Sequence, residues 1–264
     1  MATKAIFITG GASGIGLEVA RHFAAKGWRV GLADVNAAGL QAASAEFPAD
    51  RVTTHVMDVR DRAAWEQALT DFTAASGGRL DVLFNNAGIG TGGPFGEMPF
   101  EDIDRLVAIN IMGVINGARI GYRFLKATPG SCLLNTSSAA GIYGSAGLAV
   151  YSAGKFAVRG LSEALDAEWF SDGIKARALM PSFIDTPLLD TVAPGTNRTA
   201  RETVREAGLE FTPLPQVAQA AWDLVHGDKV HAIVGKTARQ LAFAAKWMPG
   251  VLRKRMRSRL GLKM

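Results

Sequence analysis

The sequence predicts an α/β fold in which about seven parallel strands form a doubly wound sheet with helices on both faces. Strand-like and helix-like segments alternate along the chain, and parallel strands need such crossover connections. A glycine-rich turn follows the first strand and begins a helix. The 264 residues are 48% hydrophobic and 20% charged, as is typical of a packed α/β protein. We expect one domain over residues 1–264.

The predicted strands are short runs rich in β-branched and apolar residues, and the predicted helices have apolar residues at helical spacing. In chain order, the strands cover residues 4–9, 28–33, 51–56, 80–84, 131–136, 175–180 and 232–234. The helices cover residues 14–26, 37–47, 61–75, 100–126, 150–170, 217–226 and 237–246.

Local signals set the ends of several elements. Gly27 ends the first helix, and Pro48 closes the second. Asp61 is expected to cap the third helix, which runs to about residue 75. Pro129 follows the long helix 100–126, and Pro181 ends the sixth strand.

Charge is distributed unevenly along the chain. The net charge is +5, but ten Lys and Arg residues and no acidic residue follow Asp228, so residues 1–228 carry a net charge of −5. A nucleic-acid-binding protein is expected to spread basic charge over a folded face with aromatic residues between the cations. We therefore expect no nucleic-acid partner.

The last eighteen residues, 247–264, form a basic amphipathic segment. Leu252, Met256 and Leu260 recur every four residues and define one apolar stripe. The Pro249-Gly250 pair separates the segment from the preceding helix, so that it could move independently. Two interpretations stay open: the segment lies on an anionic membrane surface, or it docks on the protein, over the segment 187–215 or on the acidic body of a neighbouring subunit.

Cysteine content indicates a reducing compartment. The single cysteine, Cys132, excludes an internal disulfide framework and a multi-cysteine metal centre, and we expect no metal site. Neither a signal peptide nor an unbroken apolar run of about 18 residues is evident. We expect a cytoplasmic protein, with membrane contact limited to the basic tail.

The glycine-rich turn lies where ligands bind in such sheets, just beyond a strand's carboxyl end. Its sequence is Gly-x-x-x-Gly-x-Gly, from Gly10 to Gly16, and it begins the first helix. Glycines let the backbone approach a diphosphate, and the helix N-terminus offers free N–H groups. The alternative is a glycine-rich turn that binds no ligand.

Asp34 follows the second strand, 18 residues after Gly16. A carboxylate there would accept hydrogen bonds from the adenosine ribose and repel a 2′-phosphate, so NAD is favoured over NADP. The alternative is that Asp34 caps the helix that starts near Ala37. Asp58, after the third strand, is placed to meet an adenine amino group.

A Ser-Tyr-Lys group follows the fifth strand. Tyr151 and Lys155 are four residues apart and so lie on one face of a helix. A nearby ammonium favours the phenolate and lowers the pKa of a tyrosine toward the working range. Ser138 could donate a hydrogen bond to a substrate oxygen. By itself, the Tyr-x-x-x-Lys spacing is more often a solvated helix pair.

Together, these motifs resemble the short-chain dehydrogenase/reductase family, from Thr9 to about Thr186. The gap of 13 residues between Ser138 and Tyr151 fits the family and selects Ser138 over Ser137. The resemblance implies a Rossmann-type dinucleotide-binding fold and an NAD cofactor. The cofactor-binding residues that it implies are Gly10, Ser13, Gly14, Ile15, Gly16, Asp34, Asp58, Val59, Asn86, Ala87, Gly88, Tyr151, Lys155, Pro181, Ile184 and Thr186.

The resemblance also implies catalytic roles for four residues. Tyr151 would be the general acid/base, and Lys155 would lower its pKa and bind the nicotinamide ribose. Ser138 would polarise the substrate oxygen. Asn110 would hold a water that links Lys155 to solvent. Thr186 would hydrogen-bond the nicotinamide carboxamide.

The chain departs from the family pattern after the sixth strand, where Pro181-Ser182 replaces the usual Pro-Gly. A serine is costly if the position needs a positive φ, and we expect the effect on the substrate side. The segment 187–215 is rich in apolar residues and is predicted to be a substrate loop over a lipophilic pocket. The alternative is that half of these residues pack on the core.

The family-level prediction is a hydride transfer between NAD(H) and a secondary alcohol or ketone. One alternative is a reductase of 3-oxoacyl groups on a carrier protein, against which Asp34 argues because that chemistry usually uses NADPH. A second is a non-catalytic dinucleotide sensor, a class that tends to lose the tyrosine or lysine present here.

The helix 150–170 predicts a subunit contact. Small residues recur on it at helical spacing, namely Ala153, Ala157, Gly160 and Ala164. Similar proteins pair this helix and the preceding one across a two-fold axis, so we expect a homodimer or homotetramer. The alternative is that this face packs on the protein's own sheet.

Overall fold

The computed structural model describes residues 3–190 and 199–258. Within them, seven parallel strands form one sheet in the order β3-β2-β1-β4-β5-β6-β7. The strands are β1 Ala5–Thr9, β2 Arg29–Asp34, β3 Val52–Val56, β4 Val82–Asn85, β5 Cys132–Thr136, β6 Lys175–Pro181 and β7 His231–Val234. The predicted doubly wound parallel sheet is confirmed.

Helices connect the strands and extend beyond the last one. They are α1 Gly14–Ala25, α2 Ala37–Ser44, α3 Arg62–Ala75, α4 Phe100–Val107, α5 Gly113–Lys126, α6 Ala149–Glu168, α7 Ala200–Glu206, α8 Leu214–His226, α9 Lys236–Trp247 and α10 Pro249–Ser258. The predicted helices are present with shifted ends, and α7 was not predicted.

The helices cover both faces of the sheet, as expected. On one face, α1, α2 and α8 bury apolar side chains that include Phe23, Leu40 and Val217. On the other, α3 and α5 bury a second cluster that includes Trp65 and Leu125. Alternate residues of each strand point to opposite faces, so both sides of the strands are apolar and the sheet is the centre of the core.

The helix predicted over residues 100–126 is present, but it contains a change of helix type. Between α4 and α5, the segment Ala108–Met112 forms a wider, π-helical turn. Inside this turn, the Asn110 side chain accepts a hydrogen bond from the Ile89 N–H (2.9 Å) and donates one to the Ile89 carbonyl (2.8 Å). This pair of bonds holds the bulge against the loop after β4, and such bulges frequently mark functional sites.

Side chains cap α2 and α3. Asp61 accepts hydrogen bonds from the N–H groups of Ala63 and Ala64, which confirms its predicted role. The alternative role of Asp34 as a cap is wrong, because Asn36 caps α2 and accepts from the Gly39 N–H at 3.0 Å.

The segment 187–215 contains ordered structure that the sequence did not indicate. A turn of 3-10 helix, Pro187–Asp190, precedes the undescribed residues, and α7 follows them with a reciprocal cap between Thr199 and Glu202. Leu189 and Val204 are buried, so part of the apolar content packs on the core. Val192, another apolar residue of the predicted substrate loop, lies outside the described residues.

The basic tail docks on the protein, as one of its two interpretations states. As predicted, the tail is separated from the preceding helix at Pro249-Gly250, since α9 ends at Trp247 and α10 begins at Pro249. Leu252 and Met256 are buried, while Leu260 lies outside the described residues. No helix in the described ranges combines the length and apolar character needed to cross a bilayer.

Candidate active site

The carboxyl ends of neighbouring parallel strands meet at one edge of the sheet, and the predicted site residues lie there. The order of the sheet reverses beside β1, which pairs with both β2 and β4. This topological switch point is where doubly wound sheets bind ligands.

The turn between β1 and α1 requires glycine at three positions. Gly10 and Gly14 have positive φ angles of 65° and 55°. A Cβ on Gly16 would lie 2.2 Å from the Gly10 carbonyl oxygen and 2.8 Å from Asn86 Nδ2. In the described structure, the cap residue Ser13 makes no side-chain hydrogen bond to the first turn of α1. The N–H groups around Ile15 therefore remain available to an anion.

Asn86 ties this turn to the next strand. Its Nδ2 donates to the carbonyl oxygens of Thr9 (3.0 Å) and Gly10 (3.4 Å). In return, Thr9 Oγ1 accepts hydrogen bonds from the N–H groups of Asn86 and Ala87. A Cβ on Gly10 would lie 3.0 Å from the Ala87 Cα. The two loops are thus packed too closely for larger residues.

Asp34 lies at the end of β2 beside the glycine turn. Its Oδ2 accepts a hydrogen bond from the Ala12 N–H at 3.2 Å, and its Oδ1 accepts from the Asn36 N–H at 3.0 Å. The carboxylate is half-buried at the edge of the cleft. This is the position that the sequence predicts for a contact with the adenosine ribose.

Asp58 and Val59 form the loop after β3. Arg60 donates hydrogen bonds to both Asp58 carboxylate oxygens, and this pairing lowers the pKa of Asp58. The Val59 carbonyl accepts from Trp65 Nε1 (2.9 Å) and Asn116 Nδ2 (3.2 Å). The loop is therefore fixed on both sides, with a charged carboxylate at its tip.

Asn110 and Lys155 lie on either side of Gly88. A Cβ on Gly88 would be 3.2 Å from Asn110 Oδ1 and 3.8 Å from Lys155 Nζ. The π-helical turn thus brings Asn110 beside the catalytic lysine candidate, where both of its side-chain polar atoms bind the Ile89 backbone. A longer side chain at Gly88 would displace this arrangement.

The structure distinguishes the two serines after β5. Ser137 is buried and donates to the Lys155 carbonyl at 2.8 Å, which anchors α6 to the strand. Ser138 is half-buried, accepts from the Ala140 N–H at 3.2 Å, and hydrogen-bonds the Tyr151 phenol. Only Ser138 is thus placed next to Tyr151.

Lys155 is 5% exposed and lies 5.6 Å from the centre of the Tyr151 ring. Its Nζ donates to the Thr136 carbonyl at 2.9 Å. Burial lowers the pKa of Lys155 to about 8, so most of the lysine is still protonated at neutral pH. A positive charge is therefore held within the site.

Burial raises the pKa of Tyr151, and the hydrogen bond with Ser138 opposes that rise. The sequence predicted that Lys155 would lower the pKa of Tyr151. In this structure the pKa is instead raised overall, because the effect of burial is larger. Desolvation disfavours the phenolate more than the surrounding groups stabilise it. At neutral pH the phenol keeps its proton, as a proton donor to a ketone must.

The loop after β6 closes the other side of the cleft. Pro181 is the last residue paired with β7, and Ile184 is buried and bridges to Thr212. A Cβ on Gly14 would be 3.2 Å from Thr186 Cγ2, so Thr186 lies over the glycine turn. Among the described residues only glycines have positive φ, so Ser182 causes none of the expected backbone strain.

Arg201 on α7 is a site neighbour that the sequence gave no signal for. Its guanidinium forms ion pairs with Asp185 and with Asp190 (2.9 Å), and it donates to the Thr186 carbonyl at 3.0 Å. The arginine is only 19% exposed. It thus links the start of the substrate loop to the Thr186 turn.

The substrate side of the cleft has glycine-rich walls. Gly93 donates to the Gly147 carbonyl at 2.8 Å, which joins the loop after β4 to the loop before Tyr151. A Cβ on Gly90 would be 3.3 Å from Leu188 Cδ2, and one on Gly92 would be 2.8 Å from a Leu148 methyl group. Leucine side chains therefore pack against this glycine-rich wall.

The residues at this edge fit a dinucleotide. The first turn of α1 has N–H groups available to a diphosphate, because Ser13 does not cap it, and Asp34 lies where a ribose would be held. Within residues 3–190 and 199–258, no three His, Cys, Asp or Glu side chains are grouped to hold a metal ion.

Comparisons with known proteins agree with this geometry. The family model described as short chain dehydrogenase matches residues 4–197. D-threitol dehydrogenase of Mycolicibacterium smegmatis is 37% identical over 221 residues, which are 83% of this chain and 84% of that protein. Levodione reductase of Leifsonia aquatica is 34% identical, over 79% of this chain and 78% of the relative.

A solved structure has the same fold. A short chain dehydrogenase/reductase from Burkholderia phymatum, in complex with NAD, superposes with a TM-score of 0.79 at 26% identity, over 87% of this chain and 88% of that one. Some relatives are longer: this chain spans 33% of the probable oxidoreductase EphD of Mycobacterium tuberculosis.

Proposed function

Because this chain belongs to the short-chain dehydrogenase family and is an oxidoreductase acting on CH–OH groups, we propose that it transfers a hydride between NAD(H) and a secondary alcohol or ketone. The observation that carries this proposal is the group formed by Ser138, Tyr151 and Lys155. It lies at the same edge of the sheet as a glycine turn with free N–H groups.

In alcohol oxidation, Tyr151 acts as the phenolate, after its own proton has been lost to solvent, and takes the hydroxyl proton of the substrate. Ser138 holds the same substrate oxygen by a hydrogen bond. Lys155 keeps a buried positive charge near the phenol and so stabilises the phenolate. When bound, NAD supplies the hydride acceptor and a positively charged nicotinamide ring, which also favours the phenolate. In the opposite direction, Tyr151 returns the proton to the ketone oxygen.

Asp34 supports NAD as the cofactor. Its carboxylate already accepts two backbone hydrogen bonds at the cleft edge, so it is held in one position. A 2′-phosphate in its place would meet like charge, whereas ribose hydroxyls would meet an acceptor.

Leu148 and Leu188 support an apolar substrate. Both side chains border the glycine-rich wall next to Tyr151. The relatives named D-threitol dehydrogenase and levodione reductase indicate that similar proteins act on different compounds. We propose a lipophilic secondary alcohol or ketone for this chain.

A turnover assay tests the proposed substrate class. Purified protein is given NAD or NADP and a panel of secondary alcohols that range from polyols to apolar cyclic alcohols. We expect NAD-linked turnover that is fastest with the apolar members. Faster reduction of a 3-oxoacyl thioester with NADPH would instead favour a carrier-linked reductase, and no turnover of any substrate would favour a dinucleotide sensor.

We also propose that α6 forms a subunit interface. Its small residues Ala153, Ala157, Gly160 and Ala164 are exposed, so the alternative that they pack on the protein's own sheet is not supported. A Cβ on Gly160 would meet no atom within 4 Å. An open stripe of small residues permits close helix approach, as in a two-fold dimer.

Light scattering tests the interface. At micromolar concentration the wild type should have at least twice the monomer mass of 27.9 kDa. An Ala157→Arg substitution should lower that mass to the monomer value, because the large cation has no space in a close helix pair. Ala45→Arg, at an exposed small residue after α2, should leave it unchanged. A monomeric wild type would rule out the interface.

We propose that this protein acts in the cytoplasm. Cys132 is buried, and burial raises the pKa of its thiol to about 12, so it is an inert core residue. The basic tail would allow such an enzyme to contact the anionic inner surface of a membrane.

A further inference from the structure

Helices α9 and α10 expose four large apolar side chains, which we call the tail surface: Phe243, Trp247, Met248 and Val251. They are 60%, 64%, 44% and 59% exposed, respectively. Phe243 and Trp247 lie one turn apart on α9, Met248 joins the two helices, and Val251 is in the first turn of α10. Neighbouring exposed apolar residues of this size mark an interaction surface.

The tail surface differs from the apolar stripe that the sequence predicted. That stripe, represented by Leu252 and Met256, faces inward and is buried. Met256 borders a cleft of about 400 Å³ together with Tyr143 and Ala149, so α10 lies beside the loop that precedes α6. The tail is therefore docked through one face and exposes a second apolar face.

Basic side chains lie next to these exposed apolar residues and along the rest of α10. Lys246 lies over the Trp247 ring, with its Nζ 4.9 Å from the ring centre. Arg253, Lys254 and Arg257 are exposed, and no carboxylate of the described residues forms an ion pair with them. No acidic residue follows Asp228 in the sequence, so the tail segment itself contributes only positive charge.

We propose that the tail surface binds the anionic headgroups of a lipid bilayer and inserts its aromatic side chains at the interface. An exposed Trp beside Lys is suited to this boundary, since the ring is apolar and the cation meets phosphate groups. A second copy of the same surface is a poorer occupant, because two clusters of unpaired cations would repel each other. This inference does not depend on the proposed enzymatic reaction.

Sedimentation with vesicles tests the proposal on the full chain. The probes are phosphatidylcholine vesicles with and without phosphatidylglycerol. We expect binding only to the vesicles that contain the anionic lipid, and weaker binding as salt is raised, because salt screens exposed charges.

Paired substitutions identify the surface. The double variant Phe243→Ser/Trp247→Ser should bind vesicles at least about tenfold more weakly, because both apolar anchors are lost. Arg253→Gln with Lys254→Gln should weaken it by about fivefold per charge at low salt. Phe170→Ser is the matched control, since Phe170 is 83% exposed outside the tail, and it should bind like the wild type.

Two further measurements distinguish a lipid bilayer from other occupants of the tail surface. Brominated lipid should quench the fluorescence of the wild type more than that of the Trp247→Ser variant. The oligomer mass of the Phe243→Ser/Trp247→Ser variant should equal that of the wild type. The proposal is overturned if anionic vesicles do not bind the protein at low salt, if neutral vesicles bind equally well, or if the variant changes the oligomer mass.

Discussion

Replacement of Tyr151 by phenylalanine is expected to lower kcat by about a thousandfold, within the range of a positioned general acid/base. The substitution removes only the hydroxyl, which hydrogen-bonds Ser138. The glycine turn and Asp34 lie elsewhere along the sheet edge, so NAD binding should be nearly unchanged. Steady-state rates with a secondary alcohol and a titration with NADH measure the two effects separately.

Tyr122→Phe is the matched control for this substitution. The Tyr122 hydroxyl hydrogen-bonds Asp172 at the end of α6, away from the cleft, and its loss should leave kcat close to the wild-type value. If Tyr151→Phe kept more than a small fraction of the wild-type kcat, another group would have to carry the proton.

The wild type is expected to prefer NAD over NADP by about two orders of magnitude in kcat/KM, or about 3 kcal/mol. The preference arises because Asp34 accepts ribose hydrogen bonds and repels a 2′-phosphate. Asp34→Ala removes both effects. It should therefore bring the kcat/KM values with NAD and NADP closer together, chiefly by lowering the value with NAD. Initial rates with each cofactor at varied concentration provide the ratio.

The exposed Asp50 provides a charge-matched control, because it lies in the loop before β3. Asp50→Ala changes the net charge equally and should leave the cofactor ratio unchanged. Equal kcat/KM with NAD and NADP in the wild type would contradict the role of Asp34.

The parts of the site that depend on local geometry could be predicted from the sequence. The glycine turn is an example, since Gly10 and Gly14 need positive φ and Gly16 has no room for a Cβ. The four-residue spacing of Tyr151 and Lys155 is likewise a property of one helix. The regular alternation of elements and the handedness of their crossovers leave few strand orders open, but they do not select the observed order.

Features that depend on contacts between distant segments could not be predicted. The π-helical turn at Asn110 exists because that side chain binds the Ile89 backbone. Arg201 reaches Thr186 across residues that no sequence pattern connects. The pKa of Tyr151 depends on burial within the folded site, which spacing alone does not report.

The tail shows the limit of periodicity. The spacing of Leu252 and Met256 correctly indicates that they share a helix face, but it cannot say what covers that face. The structure buries both residues and leaves Phe243 and Trp247 exposed. Asp34 is a similar case, because propensity alone could not choose between Asp34 and Asn36 as the cap of α2.

Isotope transfer tests the central claim, hydride transfer from an alcohol carbon, most directly. The protein is incubated with NAD and a secondary alcohol that carries deuterium on its carbinol carbon, and the reduced cofactor is analysed by mass spectrometry. We expect one deuterium in each NADH formed by the wild type, and almost no NADH from Tyr151→Phe. Reduced cofactor without deuterium, or equal NADH formation by the variant, would contradict the proposed reaction at this site.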